Sequence, residues 1–394
     1  MKRILFVIDS LNSGGAEKSL LSLLTLFDFE KYKVDLLLFS AEGLYLPLLP
    51  EEVNIVEAPG FIKYQNKGIK YLVIKKKFKQ LSLRLKTSLS LRNPIKIRNM
   101  HSAQIIWENV SKQINALNEE YDCAIAYSQG IPTYFVAEKV KAKRKFCWVN
   151  TDYRIASYNK IFDKRYYDHF NQVIAVSDYN KEIFIKEMPT VNQKTTVIYD
   201  IVSPRLIKSM AREESGFNQV NEGLKILTIG RLVKAKGYDL AIEACRKLKK
   251  DGYEFKWYVL GEGKDKAEYE DMIKKYSLQD TFVFLGVHHN PYPYIKDCDI
   301  YVQPSRFEGY GLAIAEAKIL GKPIVATNFT VVHNQLEHNK NGVIVNLDAE
   351  SIYKGIITII KDENLRKKIY DNLLNEKVGT EEELFKVYSL LDSN

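Results

Sequence analysis

Two glutamates, Glu308 and Glu316, are the residues of this chain whose type and spacing point most directly to chemistry. An apolar run at 300–302 predicts a strand, and a glycine-containing turn and a helix follow it. Free backbone N–H groups and the positive end of a helix dipole therefore meet at one point, which is where anions bind. Glu308 lies in the turn beside that anion, and Glu316 lies roughly one to two helical turns further on, at ~1.5 Å per residue. The two carboxylates can reach groups on opposite sides of the anion, which matches the sugar, diphosphate and ribose of a nucleotide diphosphate-sugar.

Two more segments have the same order of strand, glycine turn and helix. The segment 226–237 carries Arg231 and Lys236 just after its apolar run, and the segment 8–17 carries the pair Gly14 and Gly15. Ligands of open parallel sheets bind outside the carboxyl ends of the strands. The order of these segments therefore predicts one anion-binding edge on each of two sheets.

The stretch 304–316 resembles the paired-glutamate signature of the retaining glycosyltransferases of family 4, which have the GT-B fold. Arg231 and Lys236 match the family's Arg and Lys that hold the donor diphosphate, and the segment 8–17 is similar to its glycine-rich loop. The resemblance covers nearly the whole chain and is tightest at 224–345. It implies sugar transfer from a nucleotide diphosphate-sugar with retention at the anomeric carbon.

The resemblance also implies roles for individual residues. Glu308 would bind donor-sugar hydroxyls and favour a cationic, sugar-like transition state, while Glu316 would accept hydrogen bonds from the ribose. No metal and no cofactor besides the nucleotide-sugar co-substrate is expected. Arg231 and Lys236 would neutralise the departing diphosphate, and backbone amides would bind it at Gly14, Gly15, Gly309, Gly311 and Leu312.

One position departs from the family pattern. Many relatives have a His after a strand of the first domain that touches the donor sugar, and the matching stretch 146–153 carries Asn150 instead. Asn can donate and accept hydrogen bonds, but it cannot carry a proton at neutral pH. Asp152, two residues on, is a candidate acid on the acceptor side.

Both halves of the 394-residue chain alternate strand and helix patterns, which predicts βαβ units and an α/β fold. The polar stretch 211–223 interrupts the pattern. By resemblance, two Rossmann-like domains with parallel sheets should face each other across a cleft: an acceptor-binding domain at 1–205 and a nucleotide-sugar-binding domain at 206–380. The helix-like stretch 381–394 should pack back on the first domain. The predicted strands are 3–9, 34–39, 54–57, 123–127, 146–149, 173–177, 195–199, 225–230, 256–260, 282–285, 300–303, 324–327 and 343–345.

Apolar stretches such as 20–27 are much shorter than the ~20 residues of a membrane span, so a cytoplasmic protein is expected. The four cysteines are far apart in sequence, and no His or Cys spacing typical of a metal site occurs. An Asp-x-Asp pair, Asp297 and Asp299, starts a predicted strand and is interpreted as structural rather than metal-binding.

Positive charge is concentrated in the segment 61–100, which has 12 Lys and Arg and no acid, whereas the whole chain carries +9. The other residues therefore sum to 9 − 12, or −3. Apolar side chains in this segment follow helical spacing, which predicts a cationic amphipathic helix. Such a helix suits an anionic membrane surface at the inner face of the cell membrane, or else packs on the first domain. No nucleic-acid motif accompanies the charge, and nucleic acid is not an expected partner. The apolar positions are Tyr71, Ile74, Phe78, Leu81, Leu85 and Leu89.

A transferase with such a segment suits assembly of a surface polysaccharide or glycolipid on a lipid-linked acceptor. Two other readings stay open. A GT-B enzyme that is not a transferase, such as a nucleotide-sugar epimerase, would share the fold and the nucleotide site. A catalytically inactive homologue acting as a partner subunit would lack turnover.

Overall fold

The computed structural model describes residues 1–12, 14–59, 74–154, 158–212, 216–217 and 223–393. The strands are β1 (Lys2–Ile8), β2 (Tyr32–Leu38), β3 (Asn54–Glu57), β4 (Glu120–Ala126), β5 (Lys141–Val149), β6 (Gln172–Ala175), β7 (Thr195–Val197), β8 (Leu224–Ile229), β9 (Phe255–Leu260), β10 (Phe282–Gly286), β11 (Ile300–Gln303), β12 (Ile324–Thr327) and β13 (Val343–Val345). The helices are α1 (Gly15–Thr25), α2 (Phe78–Ser90), α3 (Pro94–Asn99), α4 (Ser102–Val110), α5 (Ile131–Lys139), α6 (Lys160–Tyr167), α7 (Asp178–Glu187), α8 (Pro204–Met210), α9 (Tyr238–Lys250), α10 (Lys266–Lys275), α11 (Tyr292–Asp297), α12 (Leu312–Ile319), α13 (Ala349–Lys361), α14 (Glu363–Asn375) and α15 (Glu383–Asp392).

The chain divides into two compact units. The first consists of Met1–Ile201 together with Glu382–Asn394, and the second is Val202–Glu381. The first boundary therefore falls at Ile201 instead of at residue 205, because the chain leaves the first unit soon after β7. The second boundary differs from the predicted one by a single residue.

The sheet of the first unit is parallel, in the order β3-β2-β1-β4-β5-β6-β7. Its interior strand β1 buries five consecutive residues, Ile4 to Ile8, because helices cover both faces of the sheet. Two separate apolar clusters lie on those two faces. The order reverses between β1 and β4, so the carboxyl ends of these strands form a topological switch point, where ligands of open α/β sheets bind.

The sheet of the second unit is also parallel, in the order β10-β9-β8-β11-β12-β13. Here the switch point lies between β8 and β11, which pair through Ile300 with Ile226 and Tyr301 with Leu227. The predicted fold class, α/β with two Rossmann-like domains and parallel sheets, is confirmed.

Helix α15 packs on the first unit. Val387, Leu390 and Leu391 belong to the same apolar cluster as β1. Tyr388 stacks on Tyr32, with ring centroids 5.5 Å apart, and Lys2 Nζ donates a hydrogen bond to the Leu391 carbonyl at 2.8 Å.

The described part of the basic segment begins at residue 74. Leu83 of α2 packs against the core of the first unit, whereas Phe78, Leu85 and Leu89 face outward. The predicted apolar face is therefore the exposed one, and Tyr71 lies outside the described residues. Within the described ranges, no helix is long and apolar enough to cross a membrane.

Candidate active site

Glu308 lies after β11 with its carboxylate surrounded by hydrogen-bond donors. Lys236 Nζ contacts both carboxylate oxygens, at 2.7 and 2.6 Å. Ser305 Oγ donates to Oε1 at 2.6 Å and Gln303 Nε2 donates to the same oxygen at 2.8 Å. The residue is only 8% exposed. This buried charge is therefore compensated on several sides, as a buried carboxylate must be.

Lys236 reaches Glu308 because the loop after β8 lies against the loop after β11. Lys236 ends a short 3₁₀ turn, Lys234–Lys236, that is followed by Gly237 with a φ of +67°. A β-carbon at Gly237 would lie 2.0 Å from the Pro304 carbonyl oxygen, so only glycine permits this approach. The Arg306 amide also donates to the Ala235 carbonyl at 2.8 Å.

Arg231 is exposed at the carboxyl end of β8, and the described residues give its side chain neither an ion pair nor a hydrogen bond. Its backbone is fixed by the neighbouring turn after β9, since the Leu232 amide donates to the Glu262 carbonyl at 3.0 Å. A charge that is exposed and held on a rigid strand end can bind an incoming anion with little reorganisation.

Helix α12 begins at Leu312, with Gly311 as its N-cap at a φ of +90°. The first amides of a helix have no acceptor within the helix, so those beside Leu312 are available to a ligand. Gln335 Nε2 donates to the Gly311 carbonyl at 3.2 Å and to that of Tyr310, which fixes the turn containing Gly309.

Glu316 lies on α12 and is 2% exposed. Its Oε1 accepts a hydrogen bond from the Tyr292 hydroxyl at 3.3 Å. The hydroxyl of Tyr292 is therefore a companion of Glu316 that the sequence did not indicate.

The glycine pair of the first unit lies at the start of α1. Gly14 is the N-cap, Gly15 is the first helical residue, and Ser13 lies outside the described residues. The Glu17 carboxylate folds back over Gly14, where a β-carbon would fall 2.1 Å from Oε2. An acid of the chain thus lies where the sequence predicts a diphosphate contact.

Asn150 follows β5, and its side chain is without a hydrogen-bond partner in the described part of the chain although both amide atoms are buried. Asp152 differs, because its side chain is 0% exposed and accepts hydrogen bonds from Arg154, from Nη2 at 2.7 Å and from the backbone amide at 2.9 Å. Its carboxylate is committed to holding this loop, which restricts the role of acceptor-side acid that the sequence predicts.

Two other acids of the first unit contact the segments that follow its strands. Asp163 accepts hydrogen bonds from Tyr153, Tyr134 and Gln104, and burial raises its pKa even though these donors lower it. The network anchors Tyr153, in the loop that carries Asn150.

Asp9, after β1, accepts a hydrogen bond from Ser128 Oγ at 3.3 Å. Loss of hydration around its carboxyl group raises the pKa of Asp9 to about 6, although the residue as a whole is exposed.

The Asp-x-Asp pair has backbone partners. Asp299 Oδ2 accepts from the Lys225 amide at 2.7 Å, and Asp297 Oδ2 from the Gly216 amide at 3.2 Å. In the described ranges, no group of three or more His, Cys, Asp and Glu side chains is placed to hold a metal ion.

Comparison with known proteins agrees with this geometry. Residues 211–375 match the family model described as "Glycosyl transferases group 1". A Campylobacter jejuni protein, N-acetylgalactosamine-N,N'-diacetylbacillosaminyl-diphospho-undecaprenol 4-alpha-N-acetylgalactosaminyltransferase, is 26% identical over 371 residues, covering 93% of this chain and 92% of the relative.

Solved structures show the same fold. HepE of Anabaena in complex with UDP gives a TM-score of 0.68 at 18% identity, with 100% of both chains covered. A mutant of TarM from S. aureus gives a TM-score of 0.67 at 18% identity, again with 100% of both chains covered. The chain is thus similar to group 1 glycosyltransferases over residues 211–375, and it shares the fold of HepE and TarM over its whole length. The predicted resemblance to bacterial glycosyltransferases of polysaccharide assembly is confirmed.

Proposed function

We propose that this glycosyltransferase moves a sugar from a nucleotide diphosphate-sugar to an acceptor hydroxyl with retention at the anomeric carbon. The observation that carries the proposal is the Lys236–Glu308 pair at the β8–β11 switch point. It combines a cation for the diphosphate with a carboxylate for the sugar, next to the N-terminus of α12. Both are placed where ligands of such sheets bind.

In this mechanism the bond between the anomeric carbon and the phosphate oxygen breaks, and its electron pair goes to the diphosphate. Arg231 and Lys236 stabilise that charge, because fixed positive groups at the site of developing charge lower the barrier most. The acceptor oxygen bonds to the anomeric carbon on the same face, and its proton passes to the departing phosphate oxygen. Lys236 has three N–H donors, so it can bind phosphate while keeping a hydrogen bond to Glu308.

The other site residues would position the donor. Glu308 binds sugar hydroxyls and favours the cationic transition state, and Glu316 with Tyr292 binds the ribose. In the first unit, Asn150 and Asp152, with Arg154 bound to Asp152, contribute to sugar binding from the segment that follows β5. Backbone amides at Gly14, Gly15, Gly309, Gly311 and Leu312 bind the diphosphate once Glu17 has moved from Gly14.

The reaction needs no metal and no cofactor in this proposal, since the two cationic side chains supply the charge that a divalent ion would supply elsewhere. Activity in the presence of EDTA, equal to activity with Mg²⁺ or Mn²⁺, supports this. Activity that EDTA abolishes and Mn²⁺ restores contradicts it.

The acceptor is a lipid-linked or surface-glycan precursor, and the protein works in the cytoplasm, bound peripherally at the inner face of the cell membrane. The name of the C. jejuni relative includes a diphospho-undecaprenol, in which the saccharide is attached to a lipid through a diphosphate. The exposed side chains of α2 and α3 add a physical reason. Phe78, Leu85, Leu89, Ile95 and Ile97 are each at least half exposed and stand among lysines and arginines. Nucleic acid is not a partner in this proposal.

The test is calorimetric binding of UDP, GDP and ADP to the full chain, with Arg231→Ala as the site variant. Lys234→Ala is the matched control, because Lys234 lies in the same loop and pairs with Glu268 in an exposed ion pair. We expect one nucleotide to bind, the Arg231 variant to lose about tenfold or more in affinity, and the control to bind normally.

Turnover then separates the alternatives. Transfer of radiolabelled sugar to a membrane extract, with an NMR spectrum showing a retained anomeric configuration, supports the proposal. Conversion of the nucleotide-sugar to its epimer without nucleotide release would indicate an epimerase. Absence of any nucleotide binding would indicate an inactive homologue.

A further inference from the structure

The carboxyl ends of β4 and β5 carry two amide side chains with buried, unused hydrogen-bonding groups. The strands are paired up to Ala126 and Cys147, and Gln129 and Asn150 each follow three residues after that pair. Gln129 Nε2, Asn150 Nδ2 and Asn150 Oδ1 are all buried and have no partner among the residues that the structure describes. Buried polar groups in folded proteins are nearly always hydrogen-bonded, so groups left open call for a ligand or another explanation.

The orientation of Gln129 is fixed by Thr151. The Thr151 amide donates to Gln129 Oε1 at 3.0 Å, and Thr151 Oγ1 donates to the same oxygen at 2.6 Å. Because a backbone N–H can only donate, the oxygen of Gln129 must face Thr151 and its nitrogen must face away. Gln129 is therefore held as a donor, whereas Asn150 offers both a donor and an acceptor.

Resting on the proposed function, we infer that Gln129 and Asn150 form one subsite for the vicinal hydroxyls of a sugar, and that Gln129 is a specificity-determining residue. A hydroxyl group both donates and accepts, so a pair of hydroxyls matches two amide donors and one amide acceptor. A phosphate only accepts and would leave Asn150 Oδ1 unmatched, and an ammonium group only donates. The pair carries no charge, which also suits a neutral ligand.

The sugar can be the transferred sugar of the donor or the terminal sugar of the acceptor, since both present vicinal hydroxyls. The variants Gln129→Glu and Asn150→Asp distinguish these sources. Each keeps the shape of its side chain and replaces the open NH₂ donor by an oxygen, and Glu at 129 still accepts from Thr151. Gln172→Glu is the control, because Gln172 lies at the start of β6, at the opposite edge of the same sheet.

The first measurement compares calorimetric affinities of UDP, UDP-glucose, UDP-N-acetylglucosamine and UDP-N-acetylgalactosamine. If the donor sugar is the ligand, each variant loses about tenfold in affinity for the preferred UDP-sugar and nothing for UDP. The second measurement is saturation-transfer NMR with the methyl glycosides of the same sugars and no nucleotide. If the acceptor sugar is the ligand, the variants lose the glycoside signal and keep the UDP-sugar affinity.

Either loss, with the Gln172 control unchanged, supports the subsite. Equal behaviour of the wild type and both variants in the two measurements overturns it. If the wild type binds GDP or ADP instead of UDP, the same comparison is made with the sugars of that nucleotide. A wild type that binds none of the three nucleotides but binds a glycoside through Gln129 would contradict the proposed donor site and leave the subsite standing. A wild type that binds neither a nucleotide nor a glycoside overturns both.

Discussion

Lys236 Nζ lies 2.6 Å from Glu308 Oε2, although the two residues come from different loops, after β8 and after β11. Their side chains are 20% and 9% exposed, so the pair is largely withdrawn from water. The Glu308 carboxylate is held in place by its hydrogen-bond donors, and in the proposed mechanism it faces the sugar. In the proposed mechanism, the two charges are therefore already in place before the substrate binds, so little reorganisation is needed during the reaction.

Glu308→Gln should separate catalysis from nucleotide binding. The amide keeps the size of the side chain and can still accept a hydrogen bond from Lys236, but it removes the negative charge that stabilises a cationic transition state. We expect kcat to fall by about a hundredfold or more, while the affinity for the nucleotide stays equal or increases because Lys236 is freed.

Glu262→Gln is the matched control for that experiment. Glu262 makes an exposed ion pair with Lys266 in the same unit, and exposed ion pairs contribute little to stability. Steady-state kinetics measures kcat, and calorimetry measures nucleotide affinity, in both variants. A Glu308→Gln enzyme with wild-type turnover would remove Glu308 from the mechanism.

Gly237→Ala should displace the loop that carries Lys236. An alanine would be strained at a φ of +67°, and its β-carbon would meet the Pro304 carbonyl oxygen at 2.0 Å. Gly252→Ala is a close control, because Gly252 has a φ of +80° and no atom within 4 Å of the added carbon. Backbone strain alone costs about 1 kcal/mol, so the control should lose roughly that much stability and keep its activity.

The free energy of unfolding of the Gly237 variant should fall by about 2 kcal/mol or more, because the added carbon clashes with the backbone of Pro304, which cannot easily move. The variant should also lose most of its turnover. Denaturant unfolding followed by kinetics measures both quantities. Equal losses in the two glycine variants would show that the close approach to Pro304 has no cost of its own.

The sequence predicted the order and type of the strands well, because buried parallel strands read as continuous apolar runs. β1 and β11 illustrate this. The structure begins β5 at Lys141, five residues before the predicted start at Phe146. The apolar pattern does not extend to these first residues because they include Lys141 and Arg144. Pairing with β4, as between Glu120 and Lys141, extends the strand in spite of those charges. The strand propensities of single residues do not reveal such pairing.

The sequence indicated where the candidate site residues lie in the strands, turns and helices, but not which of them contact one another. The spacing of Glu308 and Glu316 placed them in a turn and on a helix, as observed. That Lys236 pairs with Glu308 depends on two loops meeting, and no local pattern encodes this. Gln303 and Ser305 precede Glu308 at alternate positions, and this spacing was the one local signal for its other donors.

The basic segment offers a test of membrane contact. Changing Lys75, Lys76, Lys77 and Lys79 together to Gln should weaken co-sedimentation with phosphatidylglycerol-containing vesicles by at least about a hundredfold, because each cation near an anionic surface contributes about 1 kcal/mol. The matched control changes four exposed lysines of the second unit, which are Lys274, Lys275, Lys367 and Lys368.

A second variant tests the apolar part of the same surface. Leu85 and Leu89 are 50% and 69% exposed, so replacing both by Ser should cost the fold little while reducing vesicle binding. Binding that is unchanged in both the lysine and the leucine variants, and insensitive to salt, would contradict a membrane role for α2.

Asp200 should make stability depend on pH. It is buried near the end of the first unit, where loss of hydration raises its pKa to about 7 and a hydrogen bond with Ser19 lowers it in part. The Ser19 hydroxyl also lies 2.9 Å from that of Tyr127 and accepts from the Ile201 amide at 3.3 Å. The folded state therefore favours the protonated carboxyl, whereas the unfolded chain ionises near pH 4.

Between pH 4 and pH 7 the folded state binds more protons at Asp200 than the unfolded state does, so the contribution of this group to the free energy of unfolding falls as the pH rises. The slope should be about 1.4 kcal/mol per pH unit and should vanish above about pH 7. Asp200→Asn cannot ionise, and the difference between the wild type and this variant isolates the effect from other acids such as Asp163. Urea unfolding at several pH values measures that difference. A constant difference across this range would show that the Asp200 carboxyl is ionised in the folded protein at pH 4, and that Ser19 and its neighbours solvate the charge.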